Sequence, residues 1–390
     1  MRIRLSFFAL FLALVIPVAA QDSQNQVASN QPSQDRAADV KLAFARAQHL
    51  KHGINASGWF GGTGDLSDKH LDTYTDDADI ALMAKMGFDH VRLSIDPVPL
   101  AMSMFGRPGG AKSDFLARLD HAVDTMLANN LAVIIDVHPS DEYKQKMRTD
   151  DGAVTRFEML WRRLAAHYAD RDPNMVFFEV LNEPEFYDAY RWEGVETRVA
   201  AAIREAAPRH TIIAEYGMWA DIWDLVAAQP MADGNVIYNF HFYEPHDFTH
   251  QGATWSTPWY AYEHDIPYPP VESSMDTFLK QVPDEVDRYY FQKYWLDGWN
   301  AHRIQVMIDD AATWAREYHV PLTCNEFGVF RDHSDPVSRA NWLRDVRTAL
   351  ENDGIGWAMW DYRGGFGVVT KEDGQPAVVD ENTAQALGLK

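Results

Sequence analysis

The stretch that most constrains this chain is residues 176–185, Val-Phe-Phe-Glu-Val-Leu-Asn-Glu-Pro-Glu. An apolar run of this length between Pro173 and Pro184 reads as an interior strand of a parallel sheet, where both faces are covered. It stops abruptly in Asn182-Glu183-Pro184, so a carboxylate arrives where the strand ends. In parallel α/β folds that end is where ligands and chemistry sit. A bare Asn-Glu-Pro is also an ordinary turn; what accompanies it along the chain separates the two readings.

Seven further apolar runs share its character, at 52–56, 88–95, 132–138, 211–216, 236–243, 322–327 and 355–361. Between runs, residues 76–86, 114–130, 156–169, 193–206, 220–228, 300–318 and 336–351 carry apolar positions at three- and four-residue spacing. Several of these segments begin at Asp and end near Gly or Asn, as capped helices do. Eight alternations predict an α/β chain folded as a (β/α)8 TIM barrel, one domain over residues 39–390. Gly356 and Ala358 below Trp360 fit a crowded barrel interior, where small side chains alternate with large ones. One connection is out of scale: residues 245–298, after the sixth strand, are rich in Trp and Tyr. A loop so long is functional or carries structure of its own; we expect a wall or lid over the cleft, the other reading being a subdomain with its own small core.

Residues 1–20 combine a basic start, an apolar centre and a small-residue end at Val18-Ala19-Ala20, the pattern of a secretory signal peptide. Residues 21–38, rich in Gln, Ser, Asn and Asp, read as a disordered leader. A secreted or periplasmic protein is expected, without a membrane partner once the signal is removed. The lone cysteine, Cys324, allows no internal disulfide, so the core must stabilise the fold. Two residues before Glu326, Cys324 is expected to point inward as a small filler. With 57 Asp and Glu against 35 Lys and Arg, a net charge of −22 argues against nucleic acid as a partner. A surplus of Trp and Tyr suits stacking on sugar rings.

If the chain is a barrel, the carboxyl ends of its strands should read as one site. They carry Asn55, Arg92, His138, Asn182 and Glu183, Glu215 and Tyr216, His241 and Tyr243, Glu326, and Trp360. Period-two alternation puts His241 and Tyr243 on one side of their strand. Strands four and seven lie on opposite sides of an eight-stranded barrel, so Glu183 and Glu326 can face each other across its mouth. Glycoside hydrolysis wants such a pair: one acid protonates the leaving oxygen while the other attacks or activates water on the opposite face of the sugar. In that reading Arg92 and Tyr243 donate to Glu326 and keep it ionised, and burial near aromatic groups keeps Glu183 protonated. Asn182 then bonds the sugar 2-hydroxyl and Trp360 floors the reacting ring. Asn55-Ala56-Ser57 matches a glycosylation sequon, which its place at a strand end discounts.

The set Arg92, His138, Asn182-Glu183-Pro184, His241-Phe242-Tyr243, Asn325-Glu326-Phe327-Gly328 and Trp360 resembles glycoside hydrolase family 5, the cellulase-type family of retaining (β/α)8 enzymes. The resemblance spans about residues 50–365. It implies Glu183 as the acid/base, Glu326 as the nucleophile, the remaining matched positions as supports, and neither metal nor cofactor. The expected protein is a monomeric endo-β-1,4-glucanase acting on a polysaccharide or oligosaccharide, with β-mannan, xyloglucan, β-1,3-glucan or a small glycoside as alternative substrates. A zinc-dependent barrel hydrolase built on His138 and His241 lacks the His-x-His pair or His-Glu-x-x-His helix it would need. A non-catalytic carbohydrate-binding barrel would be expected to have lost a carboxylate or its supports.

Overall fold

Each parallel strand must be returned by a covering segment, and the chain alternates accordingly. The computed structural model describes residues 34–106 and 114–390. Eight parallel strands close in chain order into a barrel: β1 (His52–Phe60), β2 (His90–Ile95), β3 (Ala132–Val137), β4 (Val176–Glu179), β5 (Thr211–Glu215), β6 (Val236–Phe242), β7 (Leu322–Phe327) and β8 (Gly356–Met359). Closure comes from β1, which pairs Asn55 with Arg92 of β2 and Gly53 with Ala358 of β8. All eight expected strands and seven expected helices are present, displaced by a few residues at their ends. The helix Asp77–Met86 shows why: Asp76 accepts the N–H groups of Ala78 and Asp79, and Gly87 at φ 106° stops it.

Alternation sorts the side chains into three zones. Outward residues such as Val133, Ile135 and Phe178 join the large core under the helices. Inward residues at the bottom, Ile134, Phe177, Ile213 and Ile237, form a small separate core with Ala43 and Leu50. These last two come from the helix Gln34–Ala47 and the turn after it, which plug the barrel floor. Residues 34–38 of the expected leader are therefore helical; residues 21–33 and the signal-like residues 1–20 lie outside the described residues. Gly356 is required where this plug crosses β8, because a Cβ there would meet the Leu50 carbonyl oxygen at 1.8 Å. Above the floor the interior turns polar, with Arg92, Asp136, Glu179, Glu215, Asn239 and Asn325 all fully buried or nearly so.

Alternation slips twice, both times where chemistry is placed. Just after β4, Val180 and Leu181 both join the outer core, so Asn182 turns inward. In β7 a bulge opposite Phe240 and His241 leaves Asn325 and Glu326 both facing inward. Cys324, expected inside, consequently belongs to the outer core.

The 245–298 connection is a packed unit of short helices, among them Glu285–Phe291 and Lys293–Leu296. Phe291, Tyr294 and Trp295 bury into the main core, while Trp255, Ser256, Thr257 and Tyr260 line the cleft. It is thus both a structural unit and a wall. Among the described residues no helix is long and apolar enough to cross a membrane.

Candidate active site

Arg92, on β2 and fully buried, organises the centre. Its Nη1 donates to Glu326 Oε1 at 2.5 Å and to Asn55 Oδ1 at 3.0 Å. Its Nη2 donates to Glu179 Oε1 at 2.5 Å and Asn182 Oδ1 at 2.8 Å, and lies 3.1 Å from Asp136. A planar fork of five N–H groups suits this multiple demand, which a lysine ammonium would not meet. Tyr243 donates its O–H to the other oxygen of Glu326 at 2.9 Å. Asn55 lies beneath the cleft, its Nδ2 donating to the Asn325 carbonyl at 2.8 Å, so the sequon nitrogen is engaged inside the barrel.

Glu183 leaves β4 with φ 44°, turning its carboxyl into the cleft, where it is 23% exposed. His241 Nδ1 donates to Glu183 Oε1 at 3.0 Å and lies 3.7 Å from Glu326 Oε2. One oxygen of Glu183, one of Glu326 and a ring nitrogen of His241 all fall within 4.8 Å of one another. The two carboxylates thus meet across the barrel mouth, as expected. His138 is fixed by Asp136 Oδ2 at 3.0 Å and stacks on Trp360, ring centres 5.6 Å apart. Gly328 allows this floor: a Cβ there would meet the Trp360 carbonyl oxygen at 2.3 Å. Tyr216 alone among the strand-end residues turns away, bonding the Gln229 carbonyl in the outer core.

Electrostatics corrects one expectation. Burial raises the Glu183 carboxyl, but the hydrogen bond and charge of His241 outweigh it and hold the group down at about 2. Burial likewise disfavours the His241 cation, yet the Glu326 and Glu215 carboxyls and the Glu183 hydrogen bond raise it well above its ordinary range. The electrostatics thus favour a His241 cation beside a Glu183 carboxylate. Burial pushes Glu215 up to about 8, while Glu179, also opposed by burial, is held at about 2 by Arg92. Five carboxyl groups around one guanidinium and the imidazoles of His138 and His241 cannot all be ionised so far from water.

Sequence reasoning left several participants without roles. Asp136 and Asn239 sit two residues below His138 and His241 and were detectable by period-two alternation, whereas Glu179, the last residue of β4, is cut off from Asn182 by the slip in alternation. Lys144 gave no signal; its Nζ donates to the Glu183 carbonyl at 2.9 Å and Glu185 at 2.5 Å. Among the described residues two groups have metal-like spacing, Glu179 with Glu215 and His241, and Glu183 with His241 and Glu326. In each a carboxylate is already ion-paired with Arg92, and His138 belongs to neither. The cleft above has a volume of about 780 Å³ and is flanked by Trp219, Trp223 and Trp255, each more than half exposed.

The cellulase model of glycosyl hydrolase family 5 matches residues 52–365, from the start of β1 to just beyond Trp360. The chain belongs to glycosyl hydrolase family 5. It is 30% identical over 393 residues to endoglucanase 3 of Fibrobacter succinogenes, covering 96% of this chain and 56% of that protein's length. It is 31% identical over 334 residues to endoglucanase C of Acetivibrio thermocellus, covering 84% of this chain and 95% of that one. Among solved structures, Cel5A of Thermotoga maritima in complex with cellobiose aligns with a TM-score of 0.68 at 26% identity, covering 88% of this chain and 99% of that one. The same enzyme with mannotriose gives 0.68 at 25%, with the same coverage. The family-5 barrel thus embraces the strand-end constellation and leaves the N-terminal plug outside the matched range.

Proposed function

We propose that this family-5 glycoside hydrolase is a secreted, retaining endo-β-1,4-glucanase in which Glu326 is the nucleophile and Glu183 the acid/base. The observation carrying the proposal is that Glu183 and Glu326 face each other across the cleft, an oxygen of each within 4.8 Å and both carboxylates close to the same nitrogen of His241, at 3.0 and 3.7 Å. Retaining pairs stand roughly 5–5.5 Å apart, whereas inverting pairs leave about 6.5–9.5 Å for a water. In the first step Glu326 bonds the anomeric carbon as the glycosidic C–O bond breaks, and a proton passes through Glu183 to the departing oxygen. In the second, Glu183 takes a proton from water, whose oxygen attacks the anomeric carbon and releases Glu326.

The protonation pattern suits this sequence. The Glu326 charge is the largest support of the His241 cation. As Glu326 gives up that charge to the new bond, the imidazolium loses its support and its proton crosses the 3.0 Å contact to Glu183 when the leaving oxygen needs it. Asn182, whose Oδ1 is taken by Arg92, keeps its Nδ2 to donate to a sugar hydroxyl. The open cleft with exposed tryptophans favours a polymer over a small glycoside, the names of the relatives favour a β-glucan, and the pattern of residues 1–20 favours export.

The test is reducing-sugar release from carboxymethyl-cellulose, mixed-linkage β-glucan, xyloglucan, glucomannan, galactomannan and laminarin, with NMR of the first-formed anomer. Strongest release from β-1,4-glucan with a β-anomer is expected. Preference for mannan would move the substrate, and an initial α-anomer would refute the retaining mechanism. Glu183→Gln and Glu326→Gln should each abolish turnover while unfolding near the wild-type temperature; full activity in either removes it from its role.

A further inference from the structure

Glu215 takes no step in the reaction above, yet its buried carboxyl meets several parts of the machinery, Arg92 Nη2 among them at 3.8 Å. Oε2 accepts the main-chain N–H of Glu183 at 2.8 Å. Oε1 accepts Asn239 Nδ2 at 2.6 Å and lies 3.5 Å from His241 Nε2. The Glu215 main chain is itself anchored, its N–H donating to Glu196 Oε1 at 2.9 Å.

The first contact is unusual in what it holds. Glu183 lies in the left-handed region, φ 44°, which a residue with a side chain seldom adopts and which costs about 1–3 kcal/mol. Such a conformation persists only where its surroundings over-determine it. Here the N–H is held by Glu215 and the carbonyl by Lys144 Nζ at 2.9 Å, so the turn is gripped from both ends. The Glu183 side chain is then aimed by His241, whose far edge again faces Glu215. One carboxyl therefore bears on both the main chain and the side-chain partner of the same residue.

We infer that Glu215 is a positioning residue of the reaction: by gripping the Glu183 turn and backing the His241 ring, it places the Glu183 carboxyl against the leaving oxygen. This rests on the assignment of Glu183 as acid/base. A residue that positions the acid matters in proportion to how badly the leaving group needs a proton, whereas a residue that only stabilises the barrel does not discriminate between leaving groups.

The experiment compares phenyl β-cellobioside, whose leaving group needs protonation, with 2,4-dinitrophenyl β-cellobioside, whose leaving group does not. In Glu215→Gln the single amide oxygen cannot accept from both Glu183 and Asn239. The phenyl substrate should lose about 10- to 100-fold in kcat/KM, the size expected when one buried donor is left unsatisfied, while the dinitrophenyl substrate stays near the wild-type rate. Glu215→Asp, whose shorter side chain draws the carboxyl back from the Glu183 N–H, should show the same selectivity and answers the question if Glu215→Gln fails to fold. Equal losses on the two substrates, or no loss on either, would overturn the inference. A wild-type protein that turns over neither cellobioside would instead refute the functional reading on which it stands.

Discussion

Replacing Arg92 by methionine keeps much of the length of the side chain and removes the one guanidinium that, among the described residues, contacts Asp136, Glu179, Glu215 and Glu326, at 3.1, 2.5, 3.8 and 2.5 Å. Removing one partner of a buried pair costs about 3–5 kcal/mol, a large part of the roughly 5–15 kcal/mol that holds a domain together. The variant's cheapest response is to bind an extra proton. Holding one glutamate, ordinarily 4.5, protonated costs about 3.4 kcal/mol at pH 7 but about 0.7 kcal/mol at pH 5, from about 1.36 kcal/mol per pH unit. The sign follows: in the variant a carboxyl is raised above its unfolded value, so its stability is complete below that value and lost as pH rises. In the wild-type protein Glu179 is held at about 2, so its contribution persists above 4.5 and fades only as pH falls toward 2. Urea unfolding at the two pH values should therefore show a deficit of about 3–5 kcal/mol at pH 7 that shrinks by about 2.7 kcal/mol at pH 5. A deficit below about 1 kcal/mol at pH 7, or one unchanged at pH 5, would refute the view of Arg92 as the counter-ion of this cluster.

Leu50→Ala should cost about 2–5 kcal/mol in urea unfolding, since Leu50 is fully buried in the barrel floor and the cavity has rigid walls; a loss under about 0.5 kcal/mol would mean that the N-terminal plug does not seal the barrel. Gly328→Ala forces a Cβ against the Trp360 carbonyl, so kcat should fall with a stability loss of about 1–3 kcal/mol, and wild-type kinetics would disprove the close approach. Trp255→Ala, at an exposed cleft position, should raise KM for a soluble polysaccharide about tenfold with little change in Tm; an unchanged KM would exclude the 245–298 wall from substrate binding.

The sequence by itself determined the eight strands, most of the covering helices and the list of residues at the barrel mouth. Those features are local: an apolar run, a period of two or 3.6, and a polar residue where the run ends are legible without knowing what lies across the fold. The pairing of Glu183 with Glu326 was legible for a related reason, because barrel closure sets strands four and seven opposite each other. Only the tertiary structure decided the rest. The bulge that turns both Asn325 and Glu326 inward, and so sends Cys324 outward, breaks the alternation on which sequence reasoning depends. The helix that plugs the floor begins in a polar stretch whose composition resembles a leader, and just a few of its residues meet the barrel. Above all, the support for a His241 cation arises from carboxyls just after β4, on β5 and on β7 that converge within a few ångströms of one ring. Charge interactions in a buried site depend on distance and on the water excluded, and neither is written in the order of residues along a chain.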